Sequence, residues 1–117
     1  MIRGMGQQFR FTLPYKSQYS FSRVSDVTVV FWQDGLPENE VVKTLYDCTV
    51  GEFGTILYVT LSEADSLQFQ TDRKAYVQMK AHTKDGEPFG TKAQEFTVYP
   101  IHEALEETRV QVPTEGV

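Results

Sequence analysis

The fold is decided by two similar stretches, Val27-Thr-Val-Val-Phe-Trp-Gln-Asp-Gly-Leu-Pro37 and Tyr76-Val-Gln-Met-Lys-Ala-His-Thr-Lys-Asp-Gly-Glu-Pro88. Each begins with apolar residues in alternation and reaches an Asp-Gly pair with a proline nearby, and a second alternating run follows it. Asp-Gly between such runs is the strongest short-range signal for a β-hairpin, because a type I′ turn needs positive φ at both central residues. The two stretches therefore predict an antiparallel β protein.

Further alternating runs lie on both sides of these hairpins. The predicted strands are Gln8–Leu13, Asp26–Gln33, Glu40–Tyr46, Thr55–Leu61, Lys74–Lys84 and Pro88–Tyr99, with Arg109–Val112 as a seventh. A Ser-x-x-Asp capping pattern predicts one short helical turn near Ser62, and another is expected after Pro100. Six or seven short strands separated by turns favour a two-sheet sandwich of immunoglobulin-like type, with a small barrel as the alternative.

The chain has 117 residues, which is an ordinary size for a single domain. The domain is expected to span residues 8–112, with flexible ends at 1–7 and 113–117. The N-terminus lacks the apolar core of a secretory signal, and no apolar run is long enough to cross a membrane. The single cysteine cannot form an internal disulfide, which suits a reducing compartment.

The charge pattern argues against nucleic acid as a partner. The formal net charge is −5, and the 11 lysine and arginine residues are scattered along the sequence. Phosphate backbones are bound by clustered basic side chains. The acidity is interpreted as a contribution to solubility.

Residues with catalytic or metal-binding chemistry are few and far apart. Cys48 has no histidine at a supporting spacing and is interpreted as a structural thiol, while His82 and His102 are interpreted as strand-end or surface residues. The phosphate-binding, nucleophile-elbow and zinc-protease motifs are absent. The prediction is a protein without catalytic residues, cofactor or resident metal, with loop calcium left open as it is for many β-sandwiches.

One group of apolar and aromatic residues is a candidate interaction patch. Trp32 and Val30 alternate with Val27, Val29 and Phe31, so they face away from the predicted core side of their strand. The predicted patch consists of Val30, Trp32, Tyr46 and Tyr58. Together with Tyr76, these aromatic rings are also candidates for stacking against sugar rings, although aromatic residues more often fill cores or pair across strands.

Four segments carry a resemblance to known proteins: Phe31-Trp-Gln-Asp-Gly35, Val42-Lys-Thr-Leu-Tyr-Asp-Cys48, Thr60-Leu-Ser-Glu-Ala-Asp-Ser-Leu-Gln-Phe69 and Lys74-Ala-Tyr-Val-Gln78. Between about Phe9 and Tyr99 the chain resembles short proteins encoded in phages and prophages of Gram-positive bacteria. The resemblance implies an immunoglobulin-like sandwich from a phage structural-gene neighbourhood, in the tail or baseplate, with no catalytic residues. The segment after Pro100 lies outside the resemblance.

The sequence therefore favours a structural or protein-interaction module of a virion, assembled in the cytoplasm of a bacterial host. Its expected partners are other structural proteins or further copies of itself, joined through the edge strands Gln8–Leu13 and Arg109–Val112. A carbohydrate- or cell-surface-binding module is the alternative function. Neither nucleic acid nor membrane is expected as a partner.

Overall fold

The computed structural model describes residues 1–101 and contains two antiparallel sheets, which confirms the predicted all-β sandwich. Its strands are β1 (Gln7–Thr12), β2 (Val24–Trp32), β3 (Val41–Thr44), β4 (Cys48–Val50), β5 (Ile56–Leu61), β6 (Lys74–Thr83), β7 (Pro88–Gly90) and β8 (Gln94–Thr97). One short helix, α1 (Glu63–Ser66), follows β5 as predicted. The predicted strand Arg109–Val112 and the predicted turn after Pro100 fall outside the described residues, apart from Ile101.

The first sheet has the strand order β1-β5-β4, and the second has the order β3-β2-β6-β7, with β8 also paired to β6. In an immunoglobulin fold, one sheet carries strands A, B, E and D, and the other carries C, F and G with C′ added in the variable type. The observed order corresponds to B-E-D in the first sheet and C′-C-F-G in the second. The fold is therefore immunoglobulin-like, with no strand A beside β1 in the described part of the chain.

Both Asp-Gly pairs form turns, but not of the expected type I′. Only the glycines have positive φ, at Gly35 (77°) and Gly86 (88°). The Leu36 N–H donates to the Gln33 carbonyl, which with Gly35 third in the turn is the pattern of a type II turn. The second hairpin has a three-residue loop closed by Gly86, whose N–H donates to Thr83. The type I′ prediction was wrong because the aspartates keep negative φ.

The predicted strand Pro88–Tyr99 is divided into β7 and β8 by a bulge. The pairing register with β6 moves by one residue between Lys80–Gly90 and Val77–Gln94. The Thr91 hydroxyl accepts a hydrogen bond from the Met79 N–H (3.1 Å), a bond that a backbone carbonyl would otherwise accept. Strand β4 lies in a stretch where the sequence predicted no strand, so the described residues contain eight strands rather than six.

The core lies between the two sheets and follows the alternation of the sequence. The fully buried inner residues include Val27, Val29 and Phe31 on β2 and Leu57, Val59 and Leu61 on β5. Ala75, Val77, Met79 and Ala81 of β6 and Val98 are also buried, whereas Phe96 is only half-buried. The Phe9 ring contacts the Phe31 ring at 5.1 Å between centroids, which fixes how the sheets face each other.

Polar groups join the loops at one end of the sandwich. The Gln33 amide is 2% exposed. Its Oε1 accepts from Asn39 and from the Gln70 N–H, and its Nε2 donates to the Gln70 carbonyl. The Ser62 side chain accepts from the Asp65 N–H while the Asp65 carboxylate accepts from the Ser62 N–H, which confirms the predicted cap of α1.

The first residues, predicted to be flexible, are tied to the sandwich in the structure. Ile2 forms a parallel bridge with Tyr99, and the N-terminal amine donates to the Thr97 carbonyl. Gly6 (φ 72°) then turns the chain into β1. It lies so close to the end of β5 that a Cβ there would be 2.7 Å from the Leu61 carbonyl oxygen. These residues therefore run beside the end of β8 and do not pair with β1.

Candidate functional site

Two of the four predicted patch residues share one surface. Val30 and Trp32 lie on the outer face of the second sheet, opposite Gln78 and Tyr76 of β6. The Trp32 and Tyr76 rings stack with centroids 5.5 Å apart and planes at 24°. Val42 on β3 is paired with Val30 and is 50% exposed. We define the outer patch as Val30, Trp32, Val42 and Tyr76.

The other two predicted residues lie elsewhere. Tyr58 is on β5 of the first sheet, where it alternates with the buried Leu57 and Val59 and so faces away from Trp32 across the molecule. Tyr46 is 98% exposed in the 3-10 turn Leu45–Asp47 that connects the two sheets. The four predicted residues therefore do not share one surface, because alternation assigns a face to each residue but not a sheet.

Cys48 is held as a protonated thiol. Burial, followed by the nearby Asp47 carboxylate, raises the pKa of Cys48 to about 11. The Sγ donates to the Thr44 carbonyl at 3.2 Å. Because the thiolate is the nucleophile, Cys48 is a poor nucleophile at neutral pH.

His82, the histidine within residues 1–101, pairs with a single carboxylate at the surface. The His82 Nδ1 lies 2.8 Å from an Asp26 carboxylate oxygen on the outer face of the second sheet. Within residues 1–101, no group of three or more histidine, cysteine or acidic residues is arranged to hold a metal ion. His102 lies outside the described residues.

The four sheet edges differ in how they are protected against pairing. Strand β3 turns Lys43 inward, where its Nζ lies 2.7 Å from the Asp65 carboxylate. Strand β4 has only three residues, and the edge formed by β7 and β8 is broken by its bulge. Short strands, bulges and inward charges are ways in which proteins prevent edge pairing. Strand β1 has six residues, no proline or glycine, and one charged side chain, Arg10.

The open side of β1 presents a regular row of backbone groups. The Leu13 N–H donates to the Thr55 carbonyl of the loop before β5, at 2.9 Å. Because hydrogen bonding alternates along an antiparallel strand, Phe9 and Phe11 also bond towards β5. Gln8, Arg10 and Thr12 therefore direct their N–H and C=O groups away from the sheet, and within residues 1–101 β1 pairs with β5 alone.

A groove lies beside this edge, because the second sheet is wider than the first. Phe9 on β1 contacts Phe31 on β2 and Phe96 on β8, with ring centroids 5.1 and 5.2 Å apart. Strand β1 therefore lies above β6, and β7 with β8 extend beyond it. The groove between them is lined by Phe9, Arg10, Phe11, Thr12, Val77, Thr91 and Gln94. We call this the β1 groove, and it occupies the position of strand A in an immunoglobulin fold.

Both ends of that position are covered, but its middle is not. At one end Tyr19 stacks on Phe89 with centroids 4.4 Å apart, and its hydroxyl donates to Glu87. At the other end Ile2 is bridged to Tyr99. The open part runs along Phe9–Thr12, which is the length of a four-residue strand.

Sequence reasoning identified Gln8–Leu13 as an edge but missed the residues that line the β1 groove on the facing sheet. A usable signal was present in the second hairpin. The run from Pro88 to Tyr99 loses its alternation at Thr91–Ala93, which is typical of a bulged edge strand. The contact between this edge and β1 depends on how the sheets are offset, which alternation does not encode.

No helix in the described part of the chain is long and apolar enough to cross a membrane. Comparison with models of known protein families and with curated proteins found no match for this chain.

Proposed function

We propose that this protein is a non-enzymatic structural module that assembles with other proteins by accepting a single β-strand at the open edge of β1. The observation that carries the proposal is the β1 groove, where a long unprotected edge lies beside uncovered inner surface of the facing sheet. Strand addition obtains affinity from backbone hydrogen bonds and specificity from alternating side chains. Arg10 and Thr12 supply the backbone groups, and Phe9 and Phe11 line the groove for the side chains.

The groove suits a single strand better than the edge of another complete sandwich. Strands β7 and β8 already extend beneath the position next to β1. If two copies joined through their β1 strands, the extended edges of both second sheets would compete for the same space. A chain segment with no sheet packed behind it avoids this conflict.

The biological setting belongs to the same proposal. The resemblance to phage and prophage proteins supports a virion component, in the tail or baseplate, that is assembled in the host cytoplasm. The protonated Cys48 thiol and the pairwise His82–Asp26 contact support a non-enzymatic role. Strand addition is a suitable mechanism for a structural protein because it joins chains without covalent chemistry.

Analytical ultracentrifugation at two or more protein concentrations tests the proposal. The full chain is expected to associate as its concentration rises, whereas the Arg10→Pro variant is expected to remain monomeric. A proline at position 10 removes one N–H, and this N–H points to the open edge. The hydrogen bonds between β1 and β5 are therefore kept. The Arg10→Ala variant is the control, since it removes the charge and keeps the N–H. Undiminished association of Arg10→Pro would refute the proposal, whereas a strictly monomeric full chain would exclude further copies of the chain as the source of the strand.

A carbohydrate-binding function is the second candidate, and the Trp32–Tyr76 stack is the observation in its favour. The two half-buried rings lie on an outer sheet face beside the exposed Val42. Aromatic rings provide large amphipathic surfaces for contact. Titration with cell-wall oligosaccharides, followed by Trp32 fluorescence, tests this candidate. A saturable change that is lost in Tyr76→Ala supports it, and an unchanged spectrum argues against it.

A further inference from the structure

We infer that the strand accepted by β1 is the C-terminal segment Arg109–Val112 of a second copy of this chain. The inference rests on the proposed strand addition at the β1 groove and names its partner. Arg109-Val-Gln-Val112 is followed by Pro113, so the segment has the four-residue length of the open part of the groove and a residue that ends pairing.

The alternation of the segment matches the two sides of β1. In an antiparallel alignment, Phe9 lies opposite Val112, and Phe11 lies opposite Val110. Both valines then point into the groove lined by Phe9, Phe11 and Val77. Pairs between aromatic and β-branched residues stabilise neighbouring strands.

Charge and the proline together select one register. With Phe9 opposite Val112, Arg10 lies opposite the neutral Gln111. A shift of two residues in one direction places Arg10 opposite Arg109, and like charges directly across a strand pair are destabilising. A shift of two residues in the other direction places Arg10 opposite Pro113, which has no N–H to donate. The remaining register also fills the open stretch from Phe9 to Thr12.

The direction of the segment favours a second copy over the same chain. Ile101 lines a groove with Arg3 and Leu67, at the end of the sandwich where β1 begins. A chain leaving Ile101 reaches β1 most directly in the parallel direction. The tail of a neighbouring molecule has no such restriction, and antiparallel pairing is slightly more stable.

A complementation experiment between two full-length variants tests the inference. Arg10→Pro blocks the edge and keeps the tail, whereas Val110→Asp keeps the edge and places a charge on the inward side of the tail. Each variant alone is expected to be monomeric at concentrations where the unchanged chain associates. An equimolar mixture is expected to form a one-to-one complex, because it combines an intact edge with an intact tail.

Gln111→Asp is the matched control, since it adds the same charge one residue away on the outward side. We expect Val110→Asp to weaken self-association about tenfold or more, because it buries an unpaired charge, and Gln111→Asp to change it less than about threefold. Thr12→Pro serves as a second edge variant if Arg10→Pro unfolds, which thermal unfolding by circular dichroism reveals.

The outcomes separate this inference from the proposed function. If Val110→Asp associates like the unchanged chain while the edge variants do not, another strand occupies the groove and the inference is wrong. A mixture that stays monomeric also overturns it, since the tail then does not act between molecules. If both edge variants associate normally, strand addition at β1 itself is refuted.

Discussion

The two lateral sides of the sandwich differ in how fully their sheet edges and the core behind them are covered. On one side, the three residues Leu45–Asp47 carry the chain from β3 to β4, and Lys43 with Asp65 places an ion pair at the boundary of the core. On the other side, β1 faces a wider sheet whose inner aromatic residues Phe89 and Phe96 are only half-buried. We call these the closed side and the open side. The difference leaves β1 as the unprotected edge at which we propose that a strand is added.

The largest expected effect compares the centre of the core with the open side. Phe31→Ala removes a ring with 0% exposure and should lower the free energy of unfolding by about 3–5 kcal/mol. Phe89→Ala removes a half-buried ring on the open side and should cost less, about 1–2 kcal/mol, because part of its surface already contacts water. Urea denaturation of both variants provides the comparison. Equal losses would mean that the open side is as fully packed as the core.

A smaller effect is expected from opening the closed side. Lys43→Ala leaves the half-buried Asp65 carboxylate without its cation and should destabilise the fold by about 1–3 kcal/mol. The measurement is chemical denaturation at neutral pH. Lys74→Ala is the control, because its pair with Glu95 is long (3.5 Å) and exposed and should contribute almost nothing. Similar losses in the two variants would contradict the structural role assigned to Lys43.

Loss of the hydrogen bond that holds the bulge on the open side should lower the free energy of unfolding by about 1 kcal/mol. Thr91→Val keeps the shape of the side chain but removes the hydroxyl that accepts from the Met79 N–H, leaving that donor unsatisfied. Thr91→Ser retains the hydroxyl and should be close to the unchanged chain in thermal unfolding. If the serine variant loses as much as the valine variant, the hydroxyl does not hold the bulge.

The smallest expected effect is a dependence on pH that comes from the closed side. Burial alone would raise the pKa of Asp65, but hydrogen bonds from Lys43 and Ser62 outweigh it and lower the pKa below its ordinary value of 3.8. A lowered pKa in the folded state gives stability that is present above the unfolded-state pKa and is lost as the pH falls through the folded-state pKa. Denaturation between pH 5 and pH 2, compared with Asp65→Asn, should show a weaker acid dependence in the variant. If the free energy of unfolding depends on pH equally in the two proteins, Asp65 does not contribute to the acid dependence.

The fold itself was largely predictable because alternation determines which side chains are buried. The inner residues of β2 and β6 and the cap of α1 followed directly from the pattern of apolar residues and from Ser62-x-x-Asp65. Strand β4 was missed because its three residues lie among turn-forming residues. The turn types were missed because Asp-Gly fixes positive φ at the glycine only.

The candidate site was less predictable, because it depends on relations between strands. Trp32 and Tyr58 both alternate with buried neighbours, yet they lie on opposite outer faces of the sandwich. The β1 groove requires β7 and β8 to extend beyond β1, and this offset is set by three-dimensional packing around Phe9. The sequence indicated an edge at Gln8–Leu13, and the structure adds the groove beside that edge, on which the proposed strand addition rests.

Residue-resolved amide hydrogen exchange on β1 is the most direct measurement of strand addition at the open side. The amides of Phe9 and Phe11, which bond to β5, should be protected at every protein concentration. The amides of Arg10 and Thr12 should exchange rapidly in dilute solution and become protected as the concentration rises. Fast exchange of these two amides at all concentrations, under conditions where the protein associates, would contradict the account.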